Sequence, residues 1–124
     1  MPSRFGESRP TYLDTQLAMA QIGDVATMHG MLVMLEETLA KDIPLIADSL
    51  ALGDVAQANS LLHPLKGFLP IFCNARLCDD VSKVEGMSKG GSAAVVGKAY
   101  GVLRPELEIL LEEVADYLSN HDGM

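Results

Sequence analysis

The chain has 124 residues, 48% of them hydrophobic, which suits one core near the common domain size. A formal net charge of −8 argues against nucleic acid or an anionic membrane as a partner. The apolar runs fall far short of the ~18–20 residues that cross a bilayer.

Residues 1–10, MPSRFGESRP, are polar and lack the apolar stretch of a secretory signal, so they are read as a tail and a cytoplasmic location is expected. Residues 11–120 are expected to form one helical bundle. A short helix is predicted over Asp14–Ile22, closed by Gly23–Asp24. In the second helix Val25, Met28, Leu32, Leu35, Leu39, Ile46 and Leu50 recur every three or four residues, with a gap near Asp42–Ile43. Gly53 reads as a helix stop and Asp54 as the next N-cap, with Gln57 completing a capping-box variant.

Val55, Ala58, Leu62, Leu65, Leu69 and Phe72 form the third stripe without a break, and Leu77, Val81 and Val84 a shorter fourth. Gly90–Gly91–Ser92 ends the fourth helix and caps the fifth. The fifth stripe is Val96, Ala99, Leu103, Leu107, Leu110, Val114 and Tyr117. No strand alternation is present and the loops are short. The expected fold is all-α: an up-down antiparallel four-helix bundle with a short additional N-terminal helix.

Cys73 and Cys78 would point ~140° apart on one helix, so neither a disulfide nor a zinc site is expected from them. Met19, Met28, Met31 and Met34 are read as core filler, with an adaptable docking surface as the second reading. His29 is read as packing or surface and His121 as part of a frayed end. The run ELEILLEEVAD (106–116) is read as a solvated face, not a paired-carboxylate site.

The segment LLHPLKGFLP (61–70) carries the chemistry. Asn59, His63, Lys66, Gly67 and Pro70 fall on a face away from the third helix's apolar stripe, with His63, Lys66, Gly67 and Pro70 at i, i+3, i+4 and i+7. His63 is therefore expected to face solvent. Helical side chains lean toward the N-terminus, so Lys66 leans toward His63, within reach of an anionic group on its imidazole. A side chain at 67 would cover the space beside His63, and glycine leaves it open at a helix cost of roughly 1 kcal/mol. A neutral imidazole at pH 7 is a competent nucleophile, and the open approach suits a macromolecular partner.

At this point a family resemblance becomes visible. GDVAQANSLLHPLKG (53–67) resembles the signature of histidine-containing phosphotransfer (HPt) domains, in which Gly-Asp opens a helix that later carries His-x-Leu-Lys-Gly. LCDDVSKVEGMSKGG (77–91) resembles the family's next helix, and LDTQLAMAQIGD (13–24) its opening helix and turn. The resemblance implies a phosphorelay intermediate. His63 would accept a phosphoryl group from a response-regulator receiver domain or from a sensor or hybrid histidine kinase, then pass it to a receiver aspartate.

Lys66 would stabilise phosphoryl charge and Gly67 would give the partner clearance. Glu85, where the family often carries Gln or Glu, would accept a hydrogen bond from Nδ1 and leave Nε2 to attack. No cofactor is expected on this chain, since in the family the receiver holds the Mg²⁺. The chain would be a phosphocarrier without independent catalysis, and a monomer. Phe68 and Leu69 stand where the family has small residues, Cys73 where it has Gly, and Pro64 beside the histidine predicts a kink. The alternative is the same bundle binding a receiver or kinase without accepting phosphate.

Overall fold

The computed structural model describes residues 11–121. The tail expected over residues 1–10 lies outside them. Five helices pack against one another: α1 (Thr15–Ile22), α2 (Val25–Ala51), α3 (Val55–Phe68), α4 (Ala75–Met87) and α5 (Ala93–His121). A 3-10 turn, Leu69–Ile71, follows α3. No strand occurs among the described residues, and no helix there is long and apolar enough to cross a membrane.

Each helix start is set by a short polar side chain that accepts from an otherwise unpaired backbone N–H. Asp14 accepts from Leu17 N at 3.0 Å, and Asp24 from Thr27 N at 2.8 Å. Asp54 accepts from Gln57 N at 3.0 Å, Asn74 from Leu77 N at 3.1 Å and Ser92 from Val95 N at 3.2 Å. The capping box at Asp54 is only half made. The Asp54 N–H donates to Ser49 O at 2.8 Å, so the Gln57 side chain is not needed there. Gly53 adopts φ +81°, a left-handed conformation that a Cβ would strain. A Cβ on Gly91 would come within 2.7 Å of Met87 O, so the α4–α5 turn closes only on glycine.

The helices share one core. Helix α2 packs on α1, α3 and α5, while α4 packs on α3 and α5. Leu32, Leu35, Leu39, Leu62, Leu65, Leu77, Leu107 and Leu110 are fully enclosed in it. Burying one such side chain contributes about 1.5–3 kcal/mol.

Several expectations need correction. The gap near Ile43 does not exist: Ile43 is buried, and its carbonyl accepts from the Tyr100 hydroxyl at 2.8 Å. Val25 is 62% exposed, because the first turn of α2 extends beyond its neighbours' cover. The third stripe does break, since α3 ends at Phe68 and Pro70 sits in the 3-10 turn, yet Leu69 and Phe72 still reach the core. Met34 lies on the surface, unlike Met28, while Tyr117 packs half-buried against the core next to the buried Leu118. Helix α3 continues past Pro64 to Phe68, although Pro64 has no N–H to donate to Ser60 O.

Residues 11–14 clasp the structure between the α3–α4 turn and α5, with Tyr12 buried in the core. Asp14 N donates to Phe72 O and Asn74 N to Tyr12 O, an isolated bridge pairing Leu13 with Cys73. Glu113 Oε1 on α5 accepts from both Tyr12 N and Leu13 N, at 2.9 and 3.0 Å.

Candidate functional site

His63 stands on the outer face of α3 with its side chain 69% exposed. That follows from helical periodicity, because Leu62 and Leu65 flank it and both point into the core. Gly67 lies one turn further along the same face. A Cβ there would meet nothing within 4 Å, so this glycine is not a helix-packing contact; the space beside it is open.

The third participant comes from α4. Its stripe Leu77, Val81, Val84 faces the core, and the next residue, Glu85, is turned toward α3 and fully buried. The two carboxylate oxygens divide their partners. Oε2 lies 3.2 Å from His63 Nδ1 and accepts from Asn59 Nδ2 at 3.2 Å. Oε1 accepts from Lys66 Nζ at 3.2 Å and has Lys89 Nζ at 3.9 Å. Burial alone would raise the Glu85 pKa. The hydrogen bonds from His63, Lys66 and Asn59, with the Lys66 charge, outweigh it and hold the carboxyl below its ordinary 4.5.

An ionised carboxylate is an acceptor only. His63 Nδ1 must therefore carry the proton in that bond, which leaves the lone pair of a neutral ring on Nε2. Two ammonium groups against one carboxylate leave this cluster net positive in a chain of charge −8. Glu85 is thus no solvated flank of α4.

The structure thus brings His63, Lys66 and Glu85 together around one carboxylate. Asn59, Ser88 and Lys89 join them. Asn59 was placed on the His63 face by spacing alone but given no task. Ser88 and Lys89 follow Glu85 by three and four positions, the spacing at which helical residues become neighbours, and that was their only trace in the sequence.

No family model, curated protein or solved structure matches this chain. What the site can do is read from its own geometry: an exposed imidazole, its Nδ1 tied to a carboxylate, beside two lysine ammonium groups. No group of His, Cys, Asp and Glu able to hold a metal ion occurs among the described residues.

A second polar arrangement lies on the other flank of α4, and it corrects the reading of 106–116 as a purely solvated face. Asp80, Lys83 and Glu106 line an α4–α5 cleft of about 220 Å³ with Val84, Ala99, Val102 and Leu103. Burial, then the hydrogen bond and charge of Asp80, push Glu106 up to about 7, against the opposing pull of Arg76. Glu113, in the same run, serves the N-terminal clasp. Cys73 is buried and Cys78 half-buried, both as free thiols. The Cys78 thiol donates to Cys73 O at 3.7 Å.

Proposed function

We propose that this chain is a phosphocarrier of the HPt type, with His63 as phosphoacceptor in a phosphorelay. The observation that carries the reading is the exposed imidazole whose Nδ1 is tied to the buried Glu85 carboxylate. Helices α2 to α5 are read as its antiparallel four-helix bundle, with α1 as the additional helix. In transfer, the Nε2 lone pair attacks the phosphorus of a receiver's aspartyl phosphate. The phosphorus–oxygen bond breaks and the aspartate leaves as carboxylate. The ring becomes cationic while it keeps its Nδ1 proton, and Glu85 stabilises that charge.

Lys66 is the nearest cation for the transferred oxygens, and to reach them it exchanges its contact with Glu85 Oε1. The open surface at Gly67 admits the face of a docking partner. The receiver supplies the Mg²⁺ and the chain acts as a monomer. The departures at Pro64, Phe68 and Cys73 bear on transfer rate and partner choice.

The test is to mix the chain with a phosphorylated receiver domain and Mg²⁺. An acid-labile, alkali-stable label on this chain, absent in His63→Gln, is the expected result. Binding without label would overturn the carrier reading in favour of an interaction module. Neither binding nor label across a panel of receivers would remove both.

A further inference from the structure

Asn59 sits one turn before His63 on α3, half-buried between α3 and α4. Its amide nitrogen reaches three acceptors on α4: Ser88 Oγ at 2.9 Å, Glu85 Oε2 at 3.2 Å and Glu85 O at 3.3 Å. Ser88 is itself fixed, because its hydroxyl donates to Glu85 O at 2.6 Å and so turns its lone pairs toward the amide. Oε2 is the oxygen that meets His63 Nδ1. On the other side, Lys66 and Lys89 both attract Oε1.

A carboxylate turns readily about its last torsion, which has broad wells. Two ammonium groups on one side would draw the group away from the imidazole unless a neutral donor held the other oxygen. Asn59 is that donor. It can hold Oε2 without adding a charge that competes with the histidine.

We propose that Asn59 is a positioning residue: its amide holds Glu85 Oε2 at His63 Nδ1, and thereby keeps the ring proton on Nδ1 and the attacking lone pair on Nε2. Its consequence for transfer rests on the phosphoacceptor reading of His63; its effect on the ring does not. Without the amide the carboxylate swings toward the lysines, and the imidazole populates both tautomers, one of which has no lone pair on Nε2.

The experiment is ¹⁵N NMR of the His63 ring at alkaline pH in the full chain, with the rate of phosphorylation by phosphoramidate measured alongside. The wild-type ring should be protonated at Nδ1. In Asn59→Ala the ring nitrogens should shift toward a tautomer mixture. The phosphorylation rate should fall about tenfold, the lower end of the range for partners that orient a metal-bound imidazole. The variant should stay folded with a modestly lower unfolding midpoint, since Glu85 and Ser88 lose one donor and keep their other hydrogen bonds. Asn59→Asp, isosteric but without the donor and repelled by Glu85, should do at least as much. A wild-type tautomer in folded Asn59→Ala, or a slower reaction with the tautomer unchanged, overturns the proposal. A wild-type His63 that takes no phosphoryl group from phosphoramidate or a phosphorylated receiver defeats the phosphoacceptor reading separately, and the ring measurement still decides the role of Asn59.

Discussion

Glu85 and Glu106 are carboxylates on facing helices with opposite titration behaviour, and the difference comes from who their neighbours are. Glu85 is buried among donors and cations, and its pKa lies below 4.5. Its contribution to stability is present above the ordinary value and is lost as pH falls through the lowered one. Glu106 is half-buried beside another carboxylate, Asp80, and rises to about 7. The folded state favours its protonated form, so its contribution is full below 4.5 and declines as pH rises toward about 7.

Thermal unfolding followed against pH separates the two. Glu106→Gln should flatten the decline between 4.5 and about 7 and raise the midpoint at more alkaline pH by about 2–4 °C. Glu85→Gln should leave that window alone and soften the loss on acidification. On the proposed phosphocarrier function, Glu85→Ala should also slow phosphoryl acceptance, because it removes the acceptor for Nδ1. Unchanged acceptance would mean that Glu85 does not orient the ring.

At the scale of the element, α3 bears the site and its disruptions together. Pro64 withholds the N–H that would otherwise bond Ser60 O, yet α3 runs on to Phe68 because Leu62 and Leu65 are locked into the core on either side. Gly67→Ala separates fold from function. With nothing within 4 Å of the added Cβ, it should stabilise the chain by about 0.5–1 kcal/mol in chemical denaturation. Phosphorylation by phosphoramidate should be kept, while transfer from a receiver domain slows. Equal rates with both donors would remove the clearance role.

Much of this element was legible in advance. His63, Lys66 and Gly67 share a face by helical arithmetic, and the exposed histidine followed from the apolar stripe opposite. The stop at Phe68 was not, because a hydrophobic period of three to four fits a 3-10 turn as well as an α-helix over so short a span.

For the whole molecule, the clasp joins the beginning of the described chain to its far end. Glu113 on α5 binds the Tyr12 and Leu13 amides, while Asn74 and Phe72 hold the same segment from the α3–α4 turn. Glu113→Ala should cost about 1–3 kcal/mol for the amides left without an acceptor. Hydrogen exchange should quicken at Tyr12 and Leu13, and protection at Leu62 and Leu107 should persist. In the core, Leu62→Ala should lower stability by about 2–5 kcal/mol in denaturant titration, since that side chain is fully enclosed.

By itself the sequence determined the all-helical class, the N-caps at Asp54 and Ser92 and the outward placement of His63, Lys66 and Gly67. These depend on spacing within one helix, and a helix imposes that spacing locally. Only the tertiary structure decided that Glu85 is buried, that its two oxygens divide a histidine and an amide from two lysines, and that Glu106 lies beside Asp80 in the α4–α5 cleft. Those outcomes depend on how α4 is rotated against α3 and α5. That rotation is set by the joint packing of every apolar stripe, and no single stripe encodes it.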